Sequence, residues 1–185
     1  MLHKISNYFY SISKGWLTLI GLVVFVFFMI FILPQQAQKA VAYSGGTSPD
    51  TSYLYTARDL YQMAERYGAE GRAAYIYARF TFDLVFPLAY LFFLTTSVSW
   101  LFSHGVSESS RWRLLNLFPL TGAVFDYLEN ISTSLVMGRY PDATPIVAGL
   151  APIFTLFKWI FVNGSFVVLI IGLLSALWKL LIKQK

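Results

Sequence analysis

Four apolar blocks dominate this chain, at residues 16–33, 80–102, 114–137 and 146–178. Each reaches or exceeds the ~18–20 residues that cross the hydrocarbon core of a bilayer. A backbone exposed to lipid must satisfy its own hydrogen bonds, so blocks of this length are expected to be helices. The pattern predicts an all-α fold, a polytopic membrane four-helix bundle. Its spans are expected near 16–33, 80–102, 114–137 and 147–173, within one transmembrane domain over residues 1–185. Charge content agrees: 12% of the 185 residues are charged and 57% are hydrophobic, where a soluble domain carries about 25% charge. No separate soluble domain fits in what remains.

The chain has no cysteine and only two histidines, His3 and His104, both at block edges. Thiol redox chemistry, iron–sulfur clusters, thiolate zinc sites and disulfides are thereby excluded. So is a bis-histidine haem between helices, and no cofactor or metal is expected. A formal net charge of +5 would point to nucleic acid in a soluble protein. Here the basic residues flank the apolar blocks, where they act as topology signals and as contacts to anionic membrane lipids, so no nucleic-acid partner is expected.

Orientation follows from those flanks. With the N-terminus inside, Lys4, Lys14, Arg111, Arg113, Lys179, Lys183 and Lys185 are cytoplasmic beside one acid, Glu108. Lys39, Arg58, Arg66, Arg72, Arg79 and Arg139 are then outside, mixed with Asp50, Asp59, Glu65, Glu70 and Asp142. The basic counts are close, but the inner residues crowd against the span ends, where their influence is strongest. The expected location is a multi-pass protein of a bacterial inner (plasma) membrane with both termini cytoplasmic. Ala40-Val41-Ala42 resembles a signal-peptide cleavage site, yet the preceding apolar core exceeds the usual 7–15 residues, so the first block is read as a retained span. Residues 1–13 are expected at the inner interface.

Residues 34–78 form the exterior segment. Gly45-Gly46-Thr47-Ser48-Pro49-Asp50 is turn chemistry. Thr56-Ala57-Arg58-Asp59 resembles a capping box, with Asp in place of the longer Glu. Ala57, Leu60, Ala64 and Tyr67 then share a face, with Arg58, Asp59, Gln62, Glu65 and Arg66 opposite. Gly68 suits a stop. A short extracytoplasmic amphipathic helix over 57–67 is expected, lying over the bundle or on the membrane, and a second helix from about Ala69 running into span two.

Asp126, Glu129 and Asn130 interrupt the third block at i, i+3, i+4 and share one helical face. Ionisable groups at that depth cost several kcal/mol unless paired, hydrated or protonated, so they usually mark a working site. Span two adds Asp83 and, on the same face, Pro87 and Tyr90, with Arg79 just ahead. Span four adds Thr155 and Lys158. Residues 146–178 would run ~50 Å as one helix, longer than the ~30 Å core, so the inner end must tilt, project or break, with Asn163-Gly164 as a weak point. Lys158 can reach Asp126 or Glu129, and Asp83 with Arg79 can close the group. Three acids exceed the available cations, so one carboxyl is expected to hold a proton near neutral pH.

A Glu–Lys bridge can also lock helices without any chemistry, and Asn side chains join helices routinely. That structural role needs one acid, and the surplus acids stay expensive. Asn130-Ile131-Ser132 and Asn163-Gly164-Ser165 match glycosylation sequons but lie inside spans.

The chain as a whole resembles a family of uncharacterised bacterial four-span membrane proteins. The resemblance rests on Tyr67-Gly68-Ala69-Glu70-Gly71-Arg72, Asp83-Leu84-Val85-Phe86-Pro87, Phe125-Asp126-Tyr127-Leu128-Glu129-Asn130 and Phe157-Lys158-Trp159. It implies no activity. A looser architectural likeness links the chain to sterol-isomerase-type membrane proteins, which hold acids in a bundle that receives a lipophilic amine or sterol; it transfers no residue role. The residues themselves point to an intramembrane acid–amide–lysine site that binds or transforms a lipid or lipophilic small molecule by acid–base chemistry. Asp126 and Glu129 would be the catalytic pair, and Asp83, Asn130, Lys158, Tyr90 and Arg79 would bind the ligand. The alternatives are an accessory or assembly subunit docking on a membrane-protein partner, and a proton- or cation-coupled carrier working as a homo-oligomer.

Overall fold

The computed structural model describes residues 1–183. Lys185, counted above among the inner basic residues, lies outside them. Among the described residues there is no strand. These residues form seven α-helices in order: α1 (Leu2–Ile12), α2 (Gly15–Phe27), α3 (Leu33–Ser44), α4 (Ala57–Arg79), α5 (Phe82–Gly105), α6 (Phe118–Arg139) and α7 (Pro145–Lys183). Three helical stretches are long and apolar enough to cross a membrane: Gly15–Ser44, Ala57–Gly105 and Pro145–Ile182. They make this chain a membrane protein by length and composition. The helix α6 is not among the three, because Asp126, Glu129, Asn130 and a run of Ser and Thr dilute its apolar residues.

The α2 and α3 helices are joined through a π-helical turn, Phe28–Ile32. Pro34 explains it: proline lacks an N–H and its ring crowds the carbonyl four residues back, here Ile30, and a widened turn accommodates both. The stretch ends where Gly45 takes φ 61, satisfying a terminal carbonyl through Gly45 N–H to Val41 O at 3.0 Å. The N-terminus of α4 carries the reciprocal capping box, with Thr56 accepting from the Asp59 N–H and Asp59 accepting from the Thr56 N–H at 2.8 Å. The shorter Asp thus does the work of Glu. At Gly68, φ 63 and ψ −179 break the helical path, separating 57–67 from the rest of α4. A Cβ at that φ would be strained.

The sequence placed a tilt, projection or break in the last block, and the Asn163-Gly164 break does not occur. One uninterrupted helix, α7, runs through Pro152 and Asn163-Gly164 for 39 residues, ~58 Å at 1.5 Å per residue. Gly164 serves packing instead, since a Cβ there would meet the Phe118 ring at 3.3 Å. Span three was placed from residue 114; the helix starts four residues later, after a 3-10 stretch Arg111–Leu117.

The chain divides into two compact units. One comprises residues 1–26, 89–122 and 160 onward. There, Asn116 is fully buried and joins three segments: it accepts from Ser6 Oγ at 2.8 Å and donates to Ser6 O at 3.1 Å and Ser99 Oγ at 3.0 Å. Close helix approach in this unit depends on glycine. A Cβ on Gly105 would stand 2.7 Å from the Ala176 nitrogen, and one on Gly21 2.9 Å from the Phe93 Cα.

The other unit comprises residues 27–88 and 123–159. Its core is Leu60, Met63, Ala64, Tyr67 and Tyr75 from α4 against Val136, Met137, Ala148 and Ala151. The face read from the sequence at 57–67 is therefore the packed one. Every charged residue of the site described next belongs to this unit.

Candidate functional site

Glu129 and Lys158 reach each other because their helices present them at matching levels. Lys158 forms an ion pair with Glu129, whose side chain is 0% exposed. The other Glu129 oxygen, Oε1, accepts from Thr155 Oγ1 at 2.9 Å, and the Tyr55 hydroxyl lies 2.9 Å from Thr155 Oγ1. Thr155 and Lys158 stand one turn apart on α7, so a single face supplies both contacts. A second pair forms at the α4–α5 junction. The turn at Phe80-Thr81 leaves Arg79 and Asp83 on one side, 2.9 Å apart.

Asp50 joins the two pairs. Its carboxylate binds Arg79 through one oxygen and lies 3.6 Å from Lys158 through the other. The result is a chain of alternating charge, Asp83–Arg79–Asp50–Lys158–Glu129. Sequence reasoning counted Asp50 only as an exterior acid. What places it is the path of the loop. Gly45 and Gly46 adopt φ 61 and 88 and reverse the backbone. Tyr67 then donates to Thr47 O at 2.7 Å, Pro49 is buried, and Trp159 Nε1 donates to the Asp50 carbonyl at 3.1 Å. No periodic pattern signals such a loop; the residues that hold it, Tyr67 and Trp159, are far off in sequence.

Aromatic rings flank both cations. The Arg79 guanidinium sits 4.7 Å from the Tyr75 ring centre and the Lys158 ammonium 5.0 Å from that of Trp159. Tyr75 donates to Thr133 Oγ1 at 3.0 Å, and Thr133 Oγ1 donates to Glu129 O at 2.8 Å. Asp126 and Asn130 form the remaining part: Asn130 Nδ2 donates to Asp126 Oδ1 at 3.3 Å. Both are nearly buried. The Asn130 Oδ1 acceptor is buried without a hydrogen-bond partner.

Of the residues singled out from sequence, the structure gathers Arg79, Asp83, Asp126, Glu129, Asn130 and Lys158 in one compact unit. Tyr90 is buried but belongs to the other unit. Asp50, Tyr55 and Trp159 are additions that the sequence did not assign to the site.

Four carboxylates (Asp50, Asp83, Asp126 and Glu129) thus share this unit's interior with two cations, Arg79 and Lys158. For Asp50, which lies in a short 3-10 turn outside the candidate spans, burial works to raise the pKa, but the Arg79 guanidinium and then the Lys158 ammonium outweigh it and hold the carboxyl below 3.8. Burial pushes the Tyr55 hydroxyl up, so it stays a protonated donor. No group of three or more metal-ligating side chains occurs among the described residues.

Fold and site together define an all-helical membrane protein with a buried, acid-rich charge network. No family model, no curated protein and no solved structure matches the chain.

Proposed function

We propose that the protein is a four-span membrane protein that binds or transforms a lipophilic molecule with a polar head at the Asp126–Asn130 end of this network. The observation that carries the reading is the excess of buried carboxylates over cations. Four carboxylates, Asp50, Asp83, Asp126 and Glu129, share the interior with only Arg79 and Lys158 among the described residues, more acid than helix locking requires. Asp126 is one of these acids, in a place where ionisation is costly. Beside it, Asn130 Oδ1 is an acceptor with unmet demand, and leaving such an atom dry costs about 1–3 kcal/mol. A head group carrying a hydroxyl or N–H would satisfy that acceptor and come within reach of the Asp126 carboxyl. That carboxyl can then give up a proton to the head and take one back. Glu129 completes the acid pair while Lys158 keeps it ionised, and Arg79 and Asp83 form the supporting end.

This reading includes a bacterial plasma-membrane location, cytoplasmic termini and an exterior segment at 34–78. It predicts that Asp126→Asn, which keeps shape and hydrogen bonding but removes the proton, yields a folded protein that has lost its retained ligand or its growth phenotype. Glu129→Gln should behave likewise with an added loss of stability, because Lys158 loses a partner. Thermal stability in detergent, paired with mass spectrometry of lipids kept through gentle purification, reads both effects. An Asp126→Asn protein with wild-type lipid content and wild-type growth would sink the site.

A second reading has its own support. The alternating ion chain ties the 45–56 loop to α4, α5, α6 and α7, as a scaffold would. If Asp126→Asn is neutral, the protein is an accessory subunit whose network only holds its fold for a larger membrane partner.

A further inference from the structure

A groove of about 740 Å³ runs along the surface of the second unit, walled by residues 27–43 on one side and 74–85 on the other. It shares no residue with the ion chain. Two alanines of α4, Ala74 and Ala78, leave the hollow, and the π-helical turn brings Phe28 and Ile32 to its wall. Phe27, Phe82 and Val85 make the rest of that end apolar. The opposite end carries Gln36 and Lys39, and Lys39 is the one charged residue in the lining. Lys39 is exposed and forms no ion pair among the described residues.

The dimensions match half a bilayer. From Phe27 to Lys39 the helical rise is ~18 Å at 1.5 Å per residue, and half of the hydrocarbon core is ~15 Å. Lysine near a span end projects to head-group level, where anionic lipid attracts it.

We infer that this groove is a specific site for one acyl chain of an anionic phospholipid, with its phosphate against Lys39 and its tail running inward between Ile32 and Val85 to Phe27. The inference goes beyond the function proposed above, since it concerns other residues and another ligand. The apolar length selects an acyl chain; the unpaired cation at the mouth selects a negative head over a zwitterionic one. Tyr43 lines the groove and also lies within electrostatic reach of Arg79 and Asp50, so the lipid would border the ion chain without entering it.

The test uses the full chain in detergent, incubated with equal amounts of dioleoyl phosphatidylglycerol and dioleoyl phosphatidylcholine and read by native mass spectrometry. Wild type should favour phosphatidylglycerol by roughly fivefold, the worth of one lysine at the interface. In Lys39→Glu the ratio should fall to one or below with the melting temperature unchanged. Ala78→Phe fills the groove and should reduce occupancy by both lipids; if that protein does not fold, Ala74→Leu, at an exposed position, replaces it. Asp126→Asn should leave the ratio as in wild type, so the two sites fail separately. An unchanged ratio in Lys39→Glu, or unchanged occupancy in the folded groove-filling variant, overturns the inference. So does a change of oligomeric mass without a change in bound lipid, which would assign the groove to a second copy of this chain.

Discussion

Asp50 changes what its neighbours mean. Without it, Arg79–Asp83 and Lys158–Glu129 would be two separate buried pairs. With it, each cation has two carboxylates and each pair depends on a loop. The Lys158–Glu129 contact is the part that matters most for stability. Removing one partner of a buried pair leaves the other uncompensated, at roughly 3–5 kcal/mol. Lys158→Met should therefore destabilise strongly, and adding Glu129→Gln should restore part of that loss. Denaturation of the two single variants and the double variant in detergent measures the coupling, and strictly additive losses would mean that the groups do not interact. Asp50 gives a second expectation, with a definite sign. The fold keeps its carboxyl ionised where an unfolded chain would already take up a proton. Its contribution is therefore whole above the unfolded value of 3.8 and drains away as pH falls through the lower folded value. Melting temperature should drop steeply below about pH 4 in wild type. Asp50→Asn should begin lower at pH 7 and show a flatter slope. Parallel pH profiles for the two proteins would remove Asp50 from the network.

At the scale of elements, the sequence was readable wherever a local rule applied. Thr56 and Asp59 form the box their spacing announced, Gly68 breaks the helix, and Leu60, Ala64 and Tyr67 bury the face their period marked. Glu129 and Lys158 were also legible as partners, since opposite charges in apolar blocks have few alternatives. The failures share a cause as well. Asp50 reaches its place through two left-handed glycines and hydrogen bonds from Tyr67 and Trp159, none of which leaves a periodic trace. For the last block, the sequence left tilt, projection and break open, because helix length against bilayer thickness does not choose among them; the unbroken α7 removes only the break. The reciprocal cap is checkable alone. Thr56→Ala should cost about 1 kcal/mol, lowering the melting temperature by a few degrees while the retained lipid is unaffected. A null effect would mean that packing of Leu60 and Ala64 alone holds the start of α4.

For the whole molecule, the energetics of α6 decide the number of spans. Its eight Phe, Leu, Ile and Val residues contribute roughly −2 to −5 kcal/mol to insertion, at about −0.3 to −0.6 each. Asp126 and Glu129 together cost roughly 5–7 kcal/mol at the centre of a span. Alone, then, α6 would not insert, which is why hydropathy counts three spans and not four. Inside the second unit the balance differs. Glu129 meets Lys158 and Thr155, and Asp126 meets Asn130. These contacts replace water for the groups that make α6 polar, so α6 should cross only together with α7. Single cysteines in this cysteine-free chain can decide the matter, read with a membrane-impermeant thiol reagent on intact cells. Leu54 (81% exposed), Ser107 and Ala143 are accessible positions in three different connections. If α6 crosses, Leu54→Cys and Ala143→Cys should label from outside and Ser107→Cys should not. Protection at 143 together with 107, while 54 labels, would leave α6 on the cytoplasmic side and reduce the protein to three spans. Labelling at 107 alone would invert the orientation. The link to the site supplies a last control: in an Ala143→Cys chain, Lys158→Met should lower the fraction labelled from outside, because α6 would then enter the membrane with Glu129 uncompensated.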